Sequence, residues 1–293
     1  MMIPIRANLF RMIGAVAVFC AVGTAQVIPE KSLEPIAAPP VYSRIVHPLP
    51  FQPGEILVYE VSFSKLIFSG IIGDLRLAVS KPADPKSTLL EFKAEAVSRG
   101  FFPTLLGVKV KDTYSSAVSA IDLGLHSYKR LIEEGKKRRE QTSVINRELR
   151  RVTYTDRDLS NPKPQTTFKE AASPEWIQDV LSAIYFVRAQ KLNEGDVIPL
   201  AISDGGEVYN IEVIVGKREE VKLDIGSFKT VRLDAKVFDG RFLRRQGEML
   251  VWITDDPQRL IVRARIKTSG ATVSANLKRI GDTRSVPASQ RSP

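Results

Sequence analysis

The sequence predicts a mainly β protein, with an antiparallel, strongly curved sheet or incomplete barrel and one principal helix near residues 174–190. Three observations carry this. Between residues 55 and 277, apolar and polar side chains alternate in short runs, the period-two pattern of half-buried strands. Glycine and proline separate the runs, as hairpin turns require. One stretch breaks the pattern: Trp176, Val180, Ile184 and Val187 recur at helical spacing, and Ile177, Leu181 and Tyr185 widen the stripe. So broad an apolar stripe belongs against a sheet. About twelve or more strands and the helix are expected to form a single domain over residues 54–280. Two β domains joined near residues 161–173 are the alternative.

Composition narrows the chemistry. A chain of 293 residues that is 43% hydrophobic can bury a substantial core. The formal charge is +10, of which Arg6 and Arg11 contribute two. Such a surplus serves solubility or attraction to anionic surfaces. Cys20 is the sole cysteine, so an intramolecular disulfide and a cysteine-rich metal site are both excluded.

Residues 1–25 read as a secretory signal. Arg6 and Arg11 make a basic start, an apolar run follows, and Gly23 and Ala25 fit a cleavage site after Ala25. Phe19 is too bulky for the residue before a lipidated cysteine at Cys20. The expected location is periplasmic or otherwise exported, soluble after cleavage, with no transmembrane span in the mature form. Residues 26–53 carry seven prolines and read as an extended tether that adds little to folding.

Strands follow in order. Leu57, Tyr59, Val61 and Phe63 face one way in the first, and Leu75, Leu77 and Val79 in the second, where Gly70 and Gly73 allow a bulge. Phe92, Ala94 and Ala96 oppose Glu91, Lys93 and Glu95 in the third. Phe101, Phe102, Leu105 and Leu106 then interrupt the alternation as an apolar cluster, read as a plug of the sheet or a lipid-contacting lip. Residues 125–155 are densely charged, with a hairpin turn at Glu134-Gly135 and further strands through Val144 and Val152. Their outer face is expected to be solvated, with Lys136, Lys137, Arg138 and Arg139 as contacts for an anionic surface. Residues 161–173 read as a loop, with Ser173 capping the helix and Pro174 in its first turn. After the helix, strands are expected at 197–202, 207–215, 219–223, 228–234, 247–253, 260–266 and 271–277. Residues 281–293 form a fraying tail.

No catalytic constellation emerges. His126 has no companion at ligand spacing, and Asp204-Gly205-Gly206 is hairpin chemistry without a phosphate loop. Asp255 and Asp256, beside Trp252, are the best material for a hydrolase acting on envelope glycan, with Asp234 or Asp239 as a second acid. A turn in which Asp256 accepts local amides is the simpler reading. No metal site, cofactor or nucleic-acid partner is expected.

Four segments carry a family resemblance. They are Tyr59-Glu60-Val61; the run from Asp179 to Arg188; Gly226-Ser227-Phe228-Lys229-Thr230-Val231; and the run from Trp252 to Val262. In this order they resemble the DUF3108 family of exported bacterial proteins, of uncharacterised role, across residues 54–277. The family usually has proline where Val180 stands. The resemblance implies a curved sheet like that of periplasmic lipoprotein carriers and names no reaction. The expected function is non-catalytic binding of an apolar or amphiphilic ligand such as lipid, with Phe101, Phe102, Leu105, Trp176, Ile184 and Tyr185 lining a cavity between sheet and helix. Envelope lipid or another envelope protein is the expected partner. A structural or protein-interaction module of the envelope is the alternative.

Overall fold

The computed structural model describes residues 45–66, 68–82, 84, 86–101, 109–238, 243 and 247–282. Among the described residues there are fourteen strands: β1 (Glu55–Lys65), β2 (Phe68–Ser80), β3 (Leu89–Ser98), β4 (Lys111–Ser119), β5 (Leu125–Glu134), β6 (Lys137–Asn146), β7 (Arg151–Asp158), β8 (Gln165–Ala172), β9 (Val197–Asp204), β10 (Glu207–Leu223), β11 (Gly226–Ala235), β12 (Gly247–Thr254), β13 (Ile261–Thr268) and β14 (Ala271–Asp282). They form one antiparallel sheet in the order β8-β7-β6-β5-β4-β3-β2-β1-β14-β13-β12-β11-β10-β9. Two meanders therefore share the β1–β14 ladder, which brings the two ends of the domain together.

The edges β8 and β9 are not paired, so the barrel is incomplete, as predicted. The seam is crossed by side chains instead. Lys169 of β8 donates to the Gly205 carbonyl at 3.1 Å and stands 3.8 Å from Glu207. Between these edges in sequence lies helix α1 (Val180–Arg188), of which every residue except Ile184 is buried.

Alternation places the strands as expected. Tyr59, Val61, Leu75, Leu77, Phe92 and Ala94 all enter the core. The anticipated bulge lies between β1 and β2, where Val61 faces Gly73 but Ser62 faces Ile71, leaving Ile72 as an extra, fully buried residue. A Cβ at position 73 would lie 2.5 Å from the Val97 carbonyl oxygen, so only glycine fits this close approach.

Four expectations need correction. The helix begins at Val180, with Asp179 as its cap in place of Ser173. Residues just before it are drawn into the sheet: Gln178 donates to the Ala201 carbonyl at 2.8 Å and accepts from Ser203 N–H at 2.7 Å. These ladder bonds extend the backbone there and stop it coiling. The supposed loop 161–173 contains β8, in which no residue is buried, so the core imprints no apolar alternation on it. The strands expected at 207–215 and 219–223 are one, β10, because the register slips between Val215 and Arg218 without ending the ladder. The end of the tether also belongs to the core. Phe51 is 5% exposed and sits edge-on to Phe92 and Tyr185, at 5.5 and 5.1 Å between ring centroids.

The two meanders and α1 meet at Arg188. Its side chain is 0% exposed. It makes a bidentate pair with Glu55 of β1, at 2.6 and 2.9 Å. It also donates to the carbonyls of Arg259 and Gln258 in the β12–β13 turn, at 2.9 and 3.1 Å, and of Pro50 at 3.4 Å. Arg188→Ala leaves the Glu55 carboxylate buried without its partner, so a loss of about 3–5 kcal/mol is expected in denaturant unfolding. The double variant Glu55→Gln/Arg188→Met is expected to recover part of that loss, since no lone charge is left behind. Equal stability of Arg188→Ala and wild type would remove the pair from its structural role.

Candidate functional site

Helix α1 has two different faces. Tyr185 stacks flat on Phe92 of β3, with 3.9 Å between centroids and 9° between planes. That face is closed by aromatic packing. Val180, Ala183, Ile184 and Val187 point the other way, toward the concave side of β9 to β13. The spacing i, i+3, i+4, i+7 puts them on one stripe. Leu200 and Ile202 of β9, Val213 of β10, Leu233 of β11, Val251 of β12 and Ile261 of β13 lie opposite, and between the two layers a pocket remains.

This pocket has a cavity volume of ≈ 80 Å³, several-fold the roughly 10–15 Å³ that one water needs. Every lining residue is apolar, so a water inside has none of the hydrogen-bond partners that would hold it. The site suits an apolar occupant.

Two acids lie beside the start of α1. The bonds that join Gln178 to β9 run parallel, pairing Gln178 with Ile202. Asp179 therefore lies alongside Ser203, with Asp204 next on the strand. Asp179 precedes Val180 and Asp204 lies two residues beyond Ile202 on β9, but neither acid is among the lining residues. Asp179 is fully buried. Its Oδ1 accepts from Leu181 N–H at 2.7 Å, Ser182 N–H at 3.3 Å and the Ser116 hydroxyl at 2.9 Å. Its Oδ2 is buried and makes no hydrogen bond among the described residues. Burial raises the Asp179 pKa against the pull of these donors. Asp204 is pushed up to about 6, chiefly by burial; Arg130 opposes the rise, while Asp179 and Glu207 add to it.

On the other side of α1 the interior holds hydrogen-bonded polar groups. Asp156 accepts from Arg139 at 2.5 and 3.1 Å, from Gln141 at 3.1 Å and from Tyr154 at 3.2 Å. Asp112 accepts from Tyr114 and from Glu133 N–H, and Arg130 lies over the Tyr114 ring at 5.1 Å.

The residues singled out in the sequence are scattered. Ile184 lines the pocket. Tyr185 packs on the closed face, and Trp176 is buried outside the lining. Phe101 stands 70% exposed beyond β3, and Phe102, Leu105 and Leu106 lie outside the described residues. Arg139 points inward to Asp156, Lys137 pairs with Glu134 and Arg138 with Glu133, while Lys136 is exposed at the β5–β6 turn. Three of the four basic residues are thus engaged with acids of their own sheet. Asp255 pairs with Arg218 at 2.8 Å, and Asp256 accepts from Gln258 N–H, Arg259 N–H and the Thr254 hydroxyl. Asp256 is a turn residue, and Asp234 pairs with Lys236 at 2.5 Å. Asp239 lies outside the described residues. Trp252 faces away from the pocket, under Arg263 and Arg265, and its indole N–H donates to Glu219. Sequence reasoning missed the lining from β9 to β13, because alternation marks a residue as inward-facing whether it meets a packed core or a space. It also missed Asp204, read only as a turn residue.

Among the described residues, no cluster of three or more His, Cys, Asp or Glu is placed to hold a metal, and no helix is long and apolar enough to cross a membrane.

Comparison with known proteins gives a family and a fold. A family model described as a protein of unknown function (DUF3108) matches residues 58–278. No curated protein matches. A solved structure, the β-barrel-like protein of domain of unknown function DUF1849 from Brucella abortus, is similar at a TM-score of 0.50 and 12% identity, over 78% of this chain and 98% of that one. At that identity the likeness is one of fold.

The raised pKa of Asp204 has a consequence for stability. The unfolded chain releases this proton near 3.8, the folded one near 6, so folding becomes less favourable as pH rises between these values and then levels off. Asp204→Asn is expected to be more stable than wild type at pH 8, by about 1–3 kcal/mol, and equally stable at pH 3.5. Chemical denaturation at the two pH values measures this.

Proposed function

Since the chain belongs to the DUF3108 family, whose function is unknown, we propose from its own geometry that it is a non-catalytic, exported envelope protein that holds an apolar or amphiphilic ligand between α1 and strands β9 to β13. The observation that carries this is a pocket between helix and sheet with an entirely apolar lining. On the opposite face of α1 the core closes instead, with Phe51, Phe92 and Tyr185 packed ring against ring. Export rests on the basic start, the apolar run and the small residues ending at Ala25.

Two measurements test the reading. Purified protein is expected to take up a neutral apolar fluorophore such as N-phenyl-1-naphthylamine, and to release lipid on solvent extraction after purification from its native envelope. Val251→Phe, which fills the pocket from β12, is expected to weaken uptake by about tenfold or more while costing no more than about 1–3 kcal/mol of stability. No uptake by wild type, together with no extractable lipid, would reject ligand binding. For export, mass spectrometry of the mature N-terminus is expected to show a chain starting at Gln26; a product that keeps Met1 or Met2 contradicts it.

A further inference from the structure

The tip of the β1–β2 hairpin carries a side chain that a water-facing turn avoids. Lys65 pairs with Phe68 across the hairpin, which leaves a two-residue turn opened by Leu66. Leu66 has a φ of 51°. Such turns favour asparagine, aspartate or glycine, which enter the left-handed region readily and suit water, and leucine does neither. Leu66 is nonetheless 91% exposed, and Phe68 is 56% exposed. A Cβ at Gly100 would lie 2.4 Å from the Ile71 carbonyl oxygen, so the chain leaving β3 runs against this hairpin, and the exposed Phe101 follows directly.

The surroundings of the tip are basic. Thr272 of β14 faces both Ser64 of β1 and Lys267 of β13, so Lys267 lies level with the hairpin tip. On the other flank Gly135 N–H donates to the Lys109 carbonyl, which joins Lys136 of the β5–β6 turn to the same rim. Lys65, Lys109, Lys136 and Lys267 are exposed, and none makes an ion pair among the described residues. The neighbouring acids are engaged elsewhere: Glu134 pairs with Lys137, Glu133 with Arg138, and Asp74 and Glu60 with Arg99. Glu248, opposite Lys267 in the β12–β13 ladder, offsets only part of the charge.

An apolar tip flanked by unpaired lysines matches an anionic bilayer surface, where acyl chains lie beneath phosphate head groups. A narrow hairpin tip can enter lipid, whereas it gives a protein partner little area to bury. We infer that the β1–β2 hairpin docks the domain on an anionic lipid bilayer, with Leu66 and Phe68 entering the interface and the four lysines meeting lipid phosphates. Such docking needs no occupant in the pocket, so it stands or falls separately from ligand binding.

The test is co-sedimentation of the purified exported chain with sucrose-loaded vesicles, made of phosphatidylcholine alone or with about one-third phosphatidylglycerol. Binding to the anionic vesicles is expected to be about tenfold tighter or more, since each lysine near such a surface contributes about fivefold. It is expected to weaken as salt rises from about 0.1 to about 0.5 M. Leu66→Asn puts a residue that tolerates the left-handed region at the tip, so the fold is expected to hold in chemical denaturation while vesicle affinity falls about fivefold or more. The double variant Lys65→Gln/Lys267→Gln is expected to lose affinity for the anionic vesicles and much of the salt dependence. Uptake of N-phenyl-1-naphthylamine is expected to stay unchanged in all of them. No binding to either vesicle, equal binding to both, a preference for the neutral one, or affinity untouched in Leu66→Asn overturns the inference and leaves the pocket reading standing. A wild-type dimer that forms without vesicles and dissociates in Leu66→Asn also overturns it, since the tip then meets a second copy. Vesicle binding without fluorophore uptake or extractable lipid keeps the docking and removes the pocket reading. The wild-type contrast and its salt dependence decide the matter even if a variant does not fold.

Discussion

A fully buried arginine organises this domain. Arg188 ends α1, and its guanidinium reaches β1 through Glu55, the β12–β13 turn through two carbonyls, and the segment before β1 through Pro50. Desolvating such a group costs several kcal/mol unless its donors are met, and here Glu55 and three carbonyls meet them. The Arg259 side chain returns the contact by donating to the carbonyls of Arg188 and Gln190. The result is directional. Apolar packing alone would let α1 slide or rotate inside the sheet, whereas a planar fork of donors holds one depth and one orientation.

That orientation divides the interior. With Arg188 fixed, Tyr185 lies flat on Phe92, and the opposite stripe of α1 faces β9 to β13. The two sides then differ in kind. Toward β4 to β7 the space is filled by hydrogen-bonded polar pairs such as Arg139 with Asp156. Toward β9 to β13 the side chains are aliphatic and do not fill the space. Small residues on the helix, Ala183 and Val180 among them, keep the facing layers from interlocking. A pocket on one side and a dense polar network on the other follow from a single placement of the helix.

The seam follows from the same arrangement. Edge strands normally need protection from foreign pairing. Here β9 is covered by the chain leading into α1, through Gln178, and β8 is drawn to the β9–β10 turn by Lys169. Covering β9 in this way also carries Asp179 beside Ser203 and Asp204.

By itself the sequence determined the β class, the family, the position of the helical stripe and the face of nearly every inward-pointing strand, because period-two and helical alternation are local and survive without knowledge of any partner. Asp256 as a turn acceptor was legible for the same reason. Alternation could not reveal β8, which no core touches, or the true start of α1, which β9 decides by taking the backbone bonds of Gln178. Nor could it separate Ile184, which borders a space, from Tyr185, which is packed on Phe92, since neighbours on one broad stripe look alike until the sheet closes around them. The role of Phe51 and the meeting of Arg188 with Glu55 belong to the tertiary structure alone, the latter joining residues 133 positions apart. Only the folded chain brings such groups within reach, and burial there gives a contact its strength, so the pocket and the buried ion pair exist only at that level.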